Sequence, residues 1–274
     1  MQQRLFTVVR RFGAALSLAI AVALAFGIAP VGAAAEPTRT TGSPTSSNGA
    51  SSMHLLWSEA TPATTEVSTV LEVTQEPTVD SLYFWALQVD FAQGATKVGS
   101  AHLGLQWDPS RSGRTAVNFG GYGLADGEKR SELSGTSMLS SSNGDANTLD
   151  YDWQPGRRYR LRIVADGAGW WRGEITDLTT GAVTVVRRLH AGGTALVKPM
   201  VWSEVFARCD APSTEVRWSE LTPAPKSLLV TYQTYEDGGC TNTTAAATPG
   251  GFGQRTSTER LVRSYDLLRV GWGI

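Results

Sequence analysis

One stretch constrains the fold more than any other: Trp153–Leu189, WQPGRRYRLRIVADGAGWWRGEITDLTTGAVTVVRRL. From Tyr159 the residues alternate, with Tyr159, Leu161 and Ile163 on one side and Arg158, Arg160 and Arg162 on the other. That period of two is the mark of a half-buried β-strand. Asp166-Gly167-Ala168-Gly169 is turn chemistry, since glycine tolerates the positive φ of a tight hairpin. The return strand sets Trp171, Gly173 and Ile175 against Trp170, Arg172 and Glu174, and Thr179-Thr180-Gly181 turns the chain again into Ala182–Leu189. The stretch therefore predicts a three-stranded antiparallel meander with one core face and one charged face.

Other segments repeat the alternation. Leu55–Ser58 and Glu66–Gln75 come first, then Leu82–Phe91, with Tyr83, Trp85, Leu87, Val89 and Phe91 opposite Phe84, Gln88 and Asp90. Ser100–Trp107 sets Ala101, Leu103, Leu105 and Trp107 against His102, Gly104 and Gln106, and Thr115–Gly120 sets Asn118 opposite Val117 and Phe119. Gly120–Ser142 reads as long loops with one short strand. Thr148–Trp153, Val197–Arg208, Thr214–Leu221, Leu228–Tyr235, Gly250–Thr258 and Leu267–Trp272 complete the series. About a dozen short strands with turn signals between them predict an all-β, antiparallel two-sheet β-sandwich with no helix after the N-terminal leader.

The leader is itself legible. Arg4, Arg10 and Arg11 precede an apolar run, Phe12–Ala29, and Ala33-Ala34-Ala35 supplies small residues before Glu36. Residues 1–35 read as a secretory signal peptide, with an uncleaved anchor as the other reading. Arg10-Arg11 leaves general and twin-arginine export both open. Residues 36–52 are polar and rich in Pro, Gly, Ser and Thr, as a flexible linker is. Residues 53–274 then suffice for a single sandwich domain, of which 225–274 form a C-terminal strand extension. The expected protein is secreted, monomeric and free of the membrane once its leader is removed. A net charge of −1 gives no electrostatic reason to expect nucleic acid. Cys209 and Cys240, an even pair in an exported chain, are expected to form a disulfide.

With these segments in place, LYFWALQVDF, AHLGLQW, VNFGGYG, the WQPGRRYRLRI…WWRGEITDLTTG hairpin and MVWSEVFARCDAP resemble a family of secreted bacterial proteins of unassigned function, over Met53–Leu221. The order of these motifs also resembles that of concanavalin A-like lectin and glucanase jelly rolls. The resemblance implies a curved sandwich whose concave face holds glycans, and it implies no particular reaction.

The usual catalytic signatures are absent, as is the laminarinase-type Glu-x-Asp-x-x-Glu. Arg130-Ser131-Glu132-Leu133 is similar to an alginate lyase motif, but the lyases' Q-x-H strand and terminal motif are missing. Parity is more informative. A buried Glu204 would cost several kcal/mol unless paired, so Val201, Val205 and Ala207 are placed inward. That leaves Trp202, Glu204 and Arg208 on a partly wet face with Gln88, Asp90, His102, Gln106 and Asn118. An indole beside amide and carboxylate groups suits a sugar, whose ring stacks while its hydroxyls are bonded. A Glu204–Arg208 ion pair with Trp202 packed under a loop is the structural alternative. Asn143, Asp145, Asn147 and Asp150 offer oxygens at calcium-loop spacing, though an Asn-Gly turn explains them equally, and no other cofactor is expected. The function these features favour is glycan binding. A polysaccharide-active enzyme using Glu204 and Asp90 as acid and base, and a structural or protein-binding module, stand behind it.

Overall fold

A computed structural model describes residues 41–46, 48–57, 63–124, 131–224, 228–231, 244–256 and 268–270. The signal peptide, Arg130 and Cys240 lie outside the described residues. All the described residues belong to the compact unit Pro37–Ile274. Its strands are β1 (Ser51–Trp57), β2 (Glu66–Gln75), β3 (Tyr83–Gln93), β4 (Thr96–Trp107), β5 (Thr115–Gly123), β6 (Gly135–Ser137) and β7 (Thr148–Asp150). Then come β8 (Arg158–Ala165), β9 (Trp170–Asp177), β10 (Val183–His190), β11 (Ala195–Val205) and β12 (Glu215–Thr222). The last four are β13 (Leu228–Thr231), β14 (Thr244–Thr248), β15 (Gly251–Arg255) and β16 (Leu268–Val270).

The strands form two antiparallel eight-stranded sheets. Sheet 1 runs β16-β13-β1-β11-β3-β4-β5-β7 and sheet 2 runs β14-β15-β12-β2-β8-β9-β10-β6. The predicted β-sandwich is the observed fold. The extension adds strands to both sheets, β13 and β16 beyond β1, and β15 and β14 beyond β12. The meander is β8–β9–β10, and its hairpin turns through Gly167 and Gly169 at φ 80° and 78°, where a side chain would be strained.

The alternating residues pack where their period directs them. Tyr159, Leu161, Ile163, Trp171 and Ile175 from sheet 2 meet Tyr83, Trp85, Leu87, Leu103, Leu105 and Phe119 from sheet 1 in one core. Val201, Val205 and Ala207 join it as parity requires, at 2% exposure or less. Each large aromatic buried here is worth several kcal/mol of removed apolar surface.

Two local expectations change. β11 ends at Val205, so the predicted strand to Arg208 is three residues too long. The segment assigned to a linker is ordered at its C-terminal end: Cys209 N donates to Gly42 O at 2.7 Å, Ser46 Oγ donates to Ala50 O at 2.6 Å, and Ser51 and Ser52 open β1. Its serines are small enough to lie flat beside β11, where Ser51 faces Val205 and Ser52 faces Glu204.

Candidate functional site

Strand register arranges the outer face of sheet 1 in rows. The first row reads Ser52, Glu204, Phe84, Gln106, Ala116. The second reads His54, Trp202, Ala86, Gly104, Asn118, Thr148. The third reads Leu56, Met200, Gln88, His102, Gly120. Opposed residues within a row stand about 5 Å apart, close enough for side chains to touch. Six of the eight predicted site residues, Gln88, His102, Gln106, Asn118, Trp202 and Glu204, fall in these rows. Asp90 lies on the same face one row further along β3, opposite Ser100.

At the middle is an aromatic cluster separate from the main core, built from Phe84, Ala86 and Trp202 with Met200 against it. Phe84 meets Trp202 edge-on at 4.8 Å, and His54 and His102 flank the indole at 6.0 and 5.7 Å. Trp202 Nε1 donates to Gln88 Oε1 at 2.9 Å. The indole is only 4% exposed, so it lies within this cluster and is not the open stacking plate that parity suggested. The reason is its neighbours: Ala86 and Gly104 carry almost no side chain, and the ring settles toward the space they leave.

Burial sets the electrostatics. Desolvation pushes His54 and His102 down to about 4, the Asn118 amide pulling His102 the other way. Both imidazoles are therefore neutral at pH 7. Asn118 Nδ2 donates to Thr148 Oγ1 at 2.9 Å, while Asn118 Oδ1 is buried without a hydrogen-bond partner. Gln106 is 5% exposed, and its side chain makes no hydrogen bond among the described residues.

Two predicted members leave the group. Arg208 follows the end of β11 and pairs with Asp210 at 3.2 Å, its side chain 62% exposed. No ion pair joins it to Glu204; Asn48 Nδ2 donates to Glu204 Oε1 instead, at 3.3 Å. Asp90 accepts from Lys97 Nζ at 2.7 Å and Ser100 Oγ at 2.8 Å. Glu204 faces Phe84, six residues before Asp90 on β3, which puts the two carboxylates' strands positions about 20 Å apart. Acid and base in a glycosidase stand within about 10 Å, so these two do not form such a pair.

Side-chain oxygens of Asn143, Asn147 and Asp150 accept from guanidinium groups. Arg111, 4% exposed, reaches Asp150 Oδ1 at 2.5 Å, Asn143 Oδ1 at 2.6 Å, Thr148 O at 2.7 Å and Asp108 Oδ2 at 3.0 Å. Asn147 Oδ1 accepts from Arg187, and Asp145 accepts from Asn147 N at 2.8 Å and Thr148 Oγ1 at 2.7 Å. Among the described residues, no three His, Cys, Asp or Glu side chains gather where a metal ion could sit.

Sequence reasoning passed over His54, Ser52 and Met200. Their signal was present: with Leu55 inward, parity alone turns His54 to the outer face.

No family model matches the chain. No curated protein matches it in sequence. Among solved structures it aligns with scytalido-glutamic peptidase bound to a peptide-based transition-state analogue, at 12% identity over 79% of this chain and 99% of that one, with TM-score 0.40. It aligns with the CBM2 module of an evolved Dit from Lactobacillus casei BL23 phage J-1, at 15% identity over 65% of this chain and 64% of that one, with TM-score 0.33. It aligns with peanut lectin, at 13% identity over 66% and 86%, with TM-score 0.28. Likeness at this level says nothing of what this chain binds or cleaves.

Proposed function

We propose that the protein acts outside the cell and binds an uncharged glycan on the outer face of sheet 1. One observation carries the reading. The Gln88, Gln106 and Asn118 amides and two imidazoles held neutral by burial surround an aromatic cluster, and the three rows contain no Arg or Lys. A sugar presents hydroxyls that both donate and accept, with apolar C–H faces between them, and this surface offers partners for both. A uronate or sulfated polymer needs cations to replace its counterions. Here the histidines are held neutral, and the nearby Lys97 is engaged by Asp90 at 2.7 Å.

The test is retention of the purified protein on insoluble xylan, cellulose, chitin and an alginate gel, with released sugar measured in the same tubes. Retention on an uncharged polymer without release is the expected result. Retention on alginate alone, or steady release of sugar, contradicts the reading.

A further inference from the structure

On the reading that this face binds glycan, we infer that a sugar ring stacks on Tyr122, in a fourth row at one end of the face. That row reads Asp90, Ser100, Tyr122, Glu132, across β3, β4, β5 and the segment bridged to β5. Parity places Tyr122 on the outer side with Asn118 and Gly120, since Val117 and Phe119 lie in the core. Glu132 comes beside it because Gly123 N donates to Ser131 O and Leu133 N to Gly121 O, both at 2.9 Å. Leu133 packs into the core, which turns Glu132 outward.

Tyr122 has the exposure that Trp202 lacks. Among the described residues it is the most open of the Phe, Tyr and Trp side chains, 43% exposed against 4% for Trp202. Its neighbours explain the difference. Gly120, two residues back, has no side chain; Ser100 opposite is small; Glu132 on the other side is itself exposed. The ring therefore keeps apolar surface in water that a partner could cover.

The flanking groups select the occupant. Ser100 Oγ donates its proton to Asp90 Oδ1 at 2.8 Å, so toward a ligand it accepts. Glu132 Oε2 takes only a long contact from Asn147 Nδ2, at 3.4 Å. Neighbours in a row stand about 5 Å apart, so acceptors border the phenol on both sides. A pyranose laid on the ring covers it with C–H groups and brings hydroxyl donors to its rim, where those acceptors stand. An anionic sugar or a phosphate would meet Asp90 and Glu132, and Lys97 is already paired with Asp90 at 2.7 Å. An apolar side chain would leave the acceptors without donors. Ser100 is six residues from Gln106 along β4, about 20 Å, so the Tyr122 platform and Gln106 belong to the path of one extended glycan.

Affinity electrophoresis in gels of arabinoxylan, hydroxyethylcellulose and glycol chitin, all uncharged and soluble, tests this. The parent protein is expected to be retarded in at least one gel. In that gel Tyr122→Ala and Tyr122→Leu should each bind about tenfold more weakly, and Tyr122→Phe should migrate as the parent does. Tyr122→Leu keeps apolar bulk without a ring, and it decides the matter if Tyr122→Ala does not fold. Retardation of Tyr122→Leu equal to the parent's overturns the platform and leaves the glycan face standing. No retardation of the parent in any of the three gels overturns both. A parent that sediments as a dimer, with Tyr122→Ala a monomer, would assign the ring to a second copy of the chain and also overturn it.

Discussion

The two outward faces of the sandwich are built by the same alternation and use their polar groups in opposite ways. On sheet 2, β8, β9 and β2 carry a ladder of ion pairs. Arg162 grips Glu66 at 2.6 and 2.8 Å and Glu174 at 2.7 Å; Arg172 bonds Glu174 at 2.6 Å and Asp166 at 3.0 Å; Arg188 closes the chain on Asp166. Beside it Arg158 and Arg160 share Glu220, both at 2.5 Å. The Arg162 hydrogen bond holds the Glu66 carboxyl below its usual range. Each of these five arginines has a carboxylate partner. On sheet 1 the three rows carry mostly amides, hydroxyls and neutral imidazoles, with Glu204 and Asp90 as carboxylates on that face.

The largest expected effect separates core from site. Trp85→Ala removes a 1% exposed side chain from the main core and should cost about 3–5 kcal/mol in urea unfolding. Trp202→Ala should cost less, about 2–3 kcal/mol, because the hole opens to the outer face and admits water. Equal losses would make Trp202 an ordinary core residue and weaken the distinction between the faces.

Acid comes next. His54 and His102 have folded pKa values lowered to about 4, so the unfolded chain binds protons that the folded chain refuses. Their contribution is complete above pH 6.5 and is lost progressively as pH falls toward 4. Between pH 7 and 5 this amounts to about 2 kcal/mol for each histidine, and His54→Gln with His102→Gln should flatten the dependence. The lowered carboxyls of Glu66, Glu220 and Asp150 act only at lower pH, so this window reads sheet 1 alone. An unchanged slope in the double variant would show that the histidines are not desolvated.

The smallest effect belongs to sheet 2. Glu174→Gln should cost about 1 kcal/mol, diminished by salt, since its partners Arg162 and Arg172 keep side chains 32% exposed. A salt-independent loss of several kcal/mol would mean that the ladder is a buried network.

Much of this was legible before any coordinates. The period of two located nearly every strand and turned Gln88, His102, Gln106, Asn118 and Glu204 to one side, because parity is a local property. What parity cannot carry is which neighbour a residue meets. The burial of Trp202 depends on Ala86 and Gly104, contributed by two other strands. Arg111, far from the acidic loop in sequence, fills the place that the loop's spacing offered to calcium. The end of β11 at Val205 removed Arg208 from the face, a boundary that alternation alone does not mark.

The central claim is that sheet 1, and not sheet 2, carries the ligand face. Affinity electrophoresis of Gln106→Leu and Glu174→Gln in gels containing the uncharged polysaccharide that retains the parent protein tests it most directly. The account predicts that Gln106→Leu weakens retardation about tenfold while Glu174→Gln migrates as the parent does. Loss of retardation in Glu174→Gln, with Gln106→Leu unaffected, would contradict it.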